Sequence, residues 1–277
     1  MLADAALDAL DTFADEADYA LVGPRDSRVH EVATTRFPFN TVCHLCRDFG
    51  DGRCQGCTGT LIAPDRVLTA AHCLWSPARG GPPRTIRVRP GRRDRDTFPY
   101  GSIAATRWFL PRGFLRRRGS ARKPFDYGVI ELSRPFARPT RFMPVRALDE
   151  RELSRLTASG LVTVAGYPGD RPVGTMWRHS ERLKRFTSQM LYYSVDTCPG
   201  HSGSPVWTKI GDERVIIGVH TSGIVDEVGR SYGCRPGTVL APAGMLNSGV
   251  RITRAVLDAI RNPVAPRRGD RAMVALP

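Results

Sequence analysis

The chain has 277 residues, 41% of them hydrophobic, and its 41 lysines and arginines against 27 aspartates and glutamates give a formal net charge of +14. This length can bury a full core in one domain or two halves, and the longest apolar stretches are strand-sized, so no membrane span is expected. The charge would attract acidic substrates, but the basic stretches 83–95 and 111–123 resemble loop insertions rather than aromatic-laced binding sheets, which argues against a nucleic-acid partner.

The first twenty residues carry six acidic side chains, no basic ones, and apolar residues at roughly helical spacing. A secretory signal would begin with basic residues and continue into an uninterrupted apolar run, so this segment is not a signal peptide. An acidic helix of this kind can lie on a basic protein body. We therefore interpret residues 1–21 as a candidate pro-segment and residues 22–262 as the main domain.

A cysteine array follows, in which Cys43, Cys46, Cys54 and Cys57 have the spacing C-x2-C, seven residues, C-x2-C. This spacing superficially matches a zinc quartet. Disulfide bonds are the alternative, because seven cysteines in one chain suggest an oxidising compartment and hence a secreted or periplasmic protein. The absence of a recognisable signal peptide argues the other way.

Short apolar runs separated by proline, glycine and arginine clusters follow, and this pattern predicts many short antiparallel strands. In CTGTLIAPDRVLTAAHC, two β-rich runs flank a Pro-Asp turn, and the second delivers His72 beside Cys73, within disulfide reach of Cys57. Asp126 comes later, in FDYGVIEL. At the other end of the chain, an amphipathic segment at 253–261 predicts a helix, and residues 263–277 are expected to be a flexible tail.

The segment GHSGSP places Ser202 between glycines. These permit a tight turn in which the N–H groups of Gly200 and Ser202 point together and can form an oxyanion hole. With His72 as base and a buried Asp126 holding its imidazole in one tautomer, Ser202 could attack a peptide carbonyl. This chemistry needs no metal and no other cofactor.

Several further motifs occur in a fixed order along the chain: PGRRDRDTFPYGS, GYPGD, GTMWRHS, IGVHTSG and NSGVRIT. Together with the segments above, they resemble the chymotrypsin-like serine peptidases and, among these, the bacterial glutamyl endopeptidases. The resemblance runs from about Val32 to Ile260. It implies an all-β fold of two six-stranded antiparallel β-barrels with a C-terminal helix, barrel one at about 32–145 and barrel two at about 146–250. The substrate cleft would lie between His72 and Asp126 of barrel one and Ser202 of barrel two.

The resemblance also implies a primary specificity pocket with two opposing features. His220 and Thr197 would hydrogen-bond a substrate carboxylate, helped by partial protonation of the imidazole near a pKa of about 6.5. Asp196 lies where trypsin-like enzymes place the carboxylate that binds Arg or Lys, although glutamyl enzymes can also carry Asp there. We expect cleavage after Glu or Asp. The alternatives are an Arg/Lys preference through Asp196, or a pocket in which Asp196 only bonds backbone and His220 is a neutral core histidine.

The resemblance bears on the cysteines as well, because it implies one bridge that pins the histidine loop and another that ties the serine loop to the pocket wall. With Cys57 taken by the first bridge, we expect a hairpin bridge rather than zinc in the cysteine array, and Cys43 free or intermolecular. The expected pairs are Cys57–Cys73, Cys198–Cys234 and Cys46–Cys54.

Activation is expected to differ from that of trypsin-like zymogens, in which a freed amino terminus pairs with an aspartate just before the catalytic serine. That place holds His201, which cannot accept such an ion pair and either alters the oxyanion turn or faces solvent. Mature relatives start near Leu21–Gly23, which fits a zymogen. The sequence thus predicts a secreted, monomeric serine endopeptidase acting on proteins or peptides, with a non-catalytic protease-fold binding module as the alternative.

Overall fold

The computed structural model describes residues 21, 25–223, 234 and 244–277. Within them the strands are, in chain order, β1 (Val29–Glu31), β2 (Val42–Asp48), β3 (Gln55–Ala63), β4 (Arg66–Thr69), β5 (Thr85–Pro90), β6 (Ile103–Pro111), β7 (Gly128–Leu132), β8 (Leu161–Gly166), β9 (Met176–Phe186), β10 (Met190–Tyr193), β11 (Pro205–Ile210), β12 (Glu213–Ser222), β13 (Asn247–Arg251) and β14 (Met273–Leu276). The α-helices are α1 (Arg112–Arg116), α2 (Glu150–Ser159) and α3 (Arg254–Arg261). Short 3-10 turns span Phe39–Thr41, Ala71–Cys73, Pro77–Arg79, Gly119–Ala121, Lys123–Phe125 and Gly269–Arg271.

The strands form two closed antiparallel barrels. Barrel one has the strand order β6-β5-β2-β3-β4-β7, and β7 pairs back onto β6. Barrel two has the order β8-β9-β10-β13-β12-β11, and β8 closes it by pairing with both β9 and β11. The predicted pair of six-stranded barrels is therefore confirmed.

Alternating side chains show why these segments are strands. In β5, Ile86 and Val88 are buried while Thr85 and Arg87 are exposed, as expected when successive side chains point to opposite faces of a sheet. The inward residues form the interior of barrel one, and this core continues into the interface through Tyr167 of barrel two. A second, smaller hydrophobic core lies within barrel two.

The two ends of the chain cross over between the barrels. Strand β1 pairs with β9 of barrel two, whereas β14 pairs with β6 of barrel one. The prediction of a flexible tail at 263–277 is wrong in this part, because β14 adds a strand to the open edge of β6. Met273 and Leu276 pack against the core beneath it.

The two longer helices lie on different barrels. Helix α2 contacts β9 of barrel two, whereas the last carbonyl of α3 accepts a hydrogen bond from Arg66 of β4 in barrel one. Helix α3 begins one residue later than predicted because Thr253 is its N-cap, and its buried Val256, Ala259 and Ile260 form one apolar face. Helix α2 was not predicted, although its Asp149-x-x-Glu152 capping box is visible in the sequence.

The candidate pro-segment at 1–21 lies outside the described residues except for Leu21, which is buried. In the described part of the chain, no helix is long and apolar enough to cross a membrane.

Candidate active site

The histidine loop is fixed by a disulfide bond. Cys57 in β3 is joined to Cys73, which closes the 3-10 turn Ala71–Cys73 that carries His72. The side chain of His72 is 13% exposed, so the imidazole is confined but still reachable from the cleft.

Asp126 holds this imidazole through two contacts. Its Oδ1 accepts the backbone N–H of His72 at 2.9 Å, and its Oδ2 lies 2.7 Å from His72 Nδ1. Because an ionised carboxylate is only an acceptor, the Nδ1 of His72 carries the proton, and Nε2 presents a lone pair. This is the tautomer that a general base requires.

The serine turn requires its two flanking glycines. Gly200 and Gly203 have φ values of 102° and 82°, in the left-handed region. A Cβ on Gly200 would lie 2.4 Å from the carbonyl oxygen of Tyr167, and one on Gly203 would lie 2.1 Å from Thr69 Oγ1. The turn can therefore be built only with glycine at both positions.

The serine turn is tied to barrel one beside the histidine loop. The N–H of Thr58 donates to the Ser202 carbonyl at 2.9 Å, and the Thr58 hydroxyl donates to the Gly200 carbonyl at 2.7 Å. The Ser202 carbonyl oxygen also lies 3.5 Å from the sulfur of Cys73, the neighbour of His72. The fold thus brings the three predicted triad segments together.

His201 is buried, so the alternative that it faces solvent is wrong. Its Nδ1 accepts the N–H of Cys198 at 3.1 Å, and its Nε2 lies 3.4 Å from the Trp177 carbonyl, to which the Nε2–H donates. Burial, assisted by the positive charge of Arg28, lowers the pKa of His201 to about 3. His201 is therefore neutral, and its imidazole joins the serine turn to β9 through these two hydrogen bonds.

The predicted specificity residues surround the serine turn in barrel two. The backbone of His220 is bonded to this turn twice, through the N–H of Gly203 to its carbonyl and through its own N–H to the Ser204 carbonyl, both at 2.8 Å. Thr197 precedes Cys198 in the turn, and its buried hydroxyl has no hydrogen-bond partner among the described residues. It is available as a donor to a ligand.

His220 is paired with a residue that the sequence did not single out. Its Nδ1 lies 2.7 Å from the hydroxyl of Tyr193, and both side chains are fully buried. Burial, together with the proximity of His201 and His72, holds the pKa of His220 well below 6.5. The expectation of partial protonation near pH 6.5 is therefore wrong for the free protein, in which His220 is neutral.

Asp196 contacts the N-terminal segment. Its side chain is 0% exposed, and its Oδ2 accepts the N–H of Ser27 at 2.8 Å. Its own N–H donates to His179 Nδ1, also at 2.8 Å. No sequence pattern indicates this contact, because Ser27 and Asp196 are 169 residues apart along the chain.

All three expected disulfide pairs are present. They are Cys46–Cys54, Cys57–Cys73 and Cys198–Cys234. Cys43 is free and completely buried, and burial raises the pKa of its thiol. A buried sulfur cannot reach another chain, so the free state is the correct one of the two alternatives for Cys43.

The fold and site match known proteins. Residues 28–238 match the family model described as Trypsin. The chain is 34% identical over 246 residues to the glutamyl endopeptidase of Bacillus licheniformis, covering 86% of this chain and 67% of that protein. It is 29% identical over 238 residues to a Bacillus subtilis protein named extracellular metalloprotease, covering 85% and 67%.

A solved structure of a Glu endopeptidase in complex with MPD superposes with a TM-score of 0.68 at 26% identity, covering 88% of this chain and 99% of that chain. The family match covers most of the chain and includes the segments of His72, Asp126 and Ser202. The chain therefore belongs to the trypsin family of serine peptidases.

Proposed function

We propose that this serine endopeptidase cleaves peptide bonds after Glu or Asp, with Ser202, His72 and Asp126 as its catalytic residues. The observation that carries the proposal is the pair of contacts from Asp126 to His72, which leaves the Nε2 of His72 as the basic nitrogen. Strand β3 holds both the histidine loop, through the Cys57–Cys73 bridge, and the serine turn, through the N–H of Thr58.

The reaction follows from this geometry. Ser202 Oγ attacks the substrate carbonyl while His72 Nε2 takes its proton, and Asp126 stabilises the imidazolium that forms. The N–H groups of Gly200 and Ser202 bind the oxyanion on either side of His201, whose own N–H points back to the Cys198 carbonyl. His72 then protonates the leaving amine, and a water molecule activated by His72 hydrolyses the acyl-enzyme.

Specificity for an acidic side chain is supported by the donors around the pocket. The Thr197 hydroxyl and the neutral imidazole of His220 can each donate a hydrogen bond to a substrate carboxylate, and neither group carries a negative charge that would repel it. A substrate carboxylate beside His220 would also favour its protonated form, so binding would be coupled to proton uptake. The relatives named glutamyl endopeptidase and the net charge of +14 point the same way.

An Arg/Lys preference through Asp196 is the second candidate. It is disfavoured because the Asp196 carboxylate is enclosed and already bonded to Ser27. A binding module without turnover is disfavoured by the intact contacts between His72 and Asp126.

A metal does not fit this site, even though one relative is named a metalloprotease. Among the described residues, Cys57, His72 and Cys73 form one group of potential ligands within 4.8 Å of one another. The two sulfurs are bonded to each other, so the group offers a single imidazole, which is too few ligands for a catalytic zinc. No step of the proposed reaction uses a metal.

The setting of the enzyme is part of the proposal. Its three disulfides favour a secreted or periplasmic protein. We further propose that it acts as a monomer on protein or peptide substrates and that residues 1–21 are a pro-segment of a zymogen.

The test is a cleavage-site profile of the full chain, and of a form lacking residues 1–20, on a diverse peptide library read by mass spectrometry. Cuts after Glu are expected, and they should disappear in Ser202→Ala together with labelling by a serine-directed fluorophosphonate. Cuts after Arg or Lys would instead identify Asp196 as the residue that determines specificity. Turnover that persists in purified Ser202→Ala would disprove the assigned nucleophile.

A further inference from the structure

The N-terminal segment contains a buried ion cluster centred on Arg28. Its side chain is 0% exposed, its Nε and one Nη donate to Asp26 at 2.9 and 2.7 Å, and its two Nη atoms donate to Asp170 at 2.9 and 2.6 Å. Burial alone would raise the pKa of Asp26, but the hydrogen bonds and charge of Arg28 outweigh burial and lower it to about 2. A guanidinium held by two carboxylates in this way has a fixed orientation.

Asp170 ends a loop that packs directly against the serine turn. The N–H of Gly169 donates to the Pro199 carbonyl at 2.8 Å. Gly200 is so close to this loop that a Cβ there would lie 2.4 Å from the Tyr167 carbonyl oxygen. Any displacement of the loop 167–170 therefore moves Gly200, whose N–H is a proposed oxyanion donor.

The same N-terminal segment reaches the serine turn from a second side. Ser27, next to Arg28, donates its N–H to Asp196, six residues before Ser202. The charge of Arg28 also acts on His201 within the turn. Residues 26–28 thus contact both Asp196, which precedes the serine turn, and Asp170, whose loop packs against that turn.

We propose that Arg28, acting through Asp170, is a positioning residue that holds the oxyanion hole in its working geometry. A side-chain cation from the N-terminal segment thereby orders the serine turn without a free amino terminus. The inference rests on the proposed catalytic role of Ser202.

The test compares Arg28→Lys and Asp170→Asn with a matched control, Arg178→Met. Arg178 also joins the N-terminal segment to barrel two, through a 2.9 Å contact with Glu31. Asp170→Asn keeps the size of the side chain but removes its charge. The measurements are the rate of fluorophosphonate labelling, the separate values of kcat and KM, and the cooperativity of unfolding in denaturant.

Loss of a single oxyanion donor lowers kcat by about a hundredfold or more, so a displaced donor should lower it by at least about tenfold. We expect that loss in kcat and in labelling for Arg28→Lys and Asp170→Asn, with KM changed less than about twofold and unfolding still cooperative. Arg178→Met should label at the wild-type rate. If both test variants label like Arg178→Met, Arg28 does not position the hole, whereas wild type that fails to label at Ser202 would overturn the proposed function instead.

Discussion

Two histidines of the site, His72 of barrel one and His220 of barrel two, have different partners. His72 in barrel one is 13% exposed, and its Nδ1 faces the carboxylate of Asp126 at 2.7 Å. His220 in barrel two is fully buried, and its Nδ1 faces the hydroxyl of Tyr193 at the same distance. The geometry at Nδ1 is alike, and the difference lies in the charge of the partner.

This difference assigns the two imidazoles to different tasks. A carboxylate partner stabilises the imidazolium, so His72 can accept a proton during the reaction and return it. A phenol partner in a buried site gives no such stabilisation, so His220 remains a neutral donor until a substrate brings its own negative charge. The same residue type is thus a base in one barrel and a recognition group in the other.

Giving His72 a neutral partner is expected to have the largest effect. In Asp126→Asn, the amide oxygen can still accept the N–H of His72, but the imidazole loses its charged partner and adopts the wrong tautomer. We expect kcat to fall by about 10⁴ with little change in the unfolding midpoint. Steady-state kinetics on a Glu peptide measure this, and a loss below tenfold would contradict the assigned role.

Removing the partner of His220 is the complementary change. Tyr193→Phe deletes the hydroxyl 2.7 Å from Nδ1, so the imidazole is no longer held in one tautomer. We expect kcat/KM for a Glu peptide to fall by about tenfold, equivalent to about 1.4 kcal/mol. The control is fluorophosphonate labelling, which does not use the pocket carboxylate and should stay near wild type.

Equal losses of labelling and of Glu cleavage in Tyr193→Phe would show that the hydroxyl supports the serine turn as a whole. Loss of Glu cleavage alone would support its role in specificity.

A third change tests His201, the buried histidine that precedes Ser202 in the serine turn. The pKa of His201 is about 3 in the folded protein against 6.5 in the unfolded chain, so the unfolded state takes up a proton first as pH falls. Its contribution to stability is therefore complete above pH 6.5 and is lost progressively towards pH 3. His201→Gln should flatten the fall in unfolding free energy between pH 6 and 4 by about 1 kcal/mol per pH unit.

Denaturant titrations at several pH values measure this slope. His44, which is also buried with a pKa lowered to about 3, remains in both proteins, so its contribution cancels in the comparison. Identical slopes for wild type and His201→Gln would mean that His201 is protonated in the folded state.

The smallest effect on catalysis is expected from the edge of barrel one. Deleting residues 272–277 removes β14, whose Met273 and Leu276 are only half-buried. We expect a loss of about 2 kcal/mol in unfolding free energy and unchanged kcat, because His72 is held by Cys73 and Asp126 on other elements. A large fall in kcat would show that the sheet edge also sets the histidine loop.

The features that could be predicted from sequence are those encoded in contiguous motifs. TAAHC, FDYGVIEL and GHSGSP specify His72, Asp126 and Ser202 because each turn needs particular residues over a short stretch. The resemblance of these motifs to a known family implied the two-barrel fold and the disulfide pairs of the histidine and serine loops.

The features that were missed depend on contacts between distant segments. The burial that keeps His201 and His220 neutral depends on the packing of barrel two, and sequence patterns do not show it. The Ser27–Asp196 contact, the Arg28 cluster and the pairing of β14 all join residues more than 100 positions apart. Nothing local distinguishes β14 from a loose end, since its strand character becomes favourable only beside β6.

The crossed chain ends have a mechanical consequence. Strand β1, which precedes barrel one in the chain, pairs with barrel two, and β14, which follows barrel two, pairs with barrel one. Each barrel is therefore hydrogen-bonded to a strand from the far side of the cleft. The barrels cannot swing apart without peeling a strand from each sheet. If the peptide chain were cut in the connection at 133–149, the N-terminal fragment would still supply β1 to barrel two and the C-terminal fragment would still supply β14 to barrel one. The cut protein should therefore remain assembled.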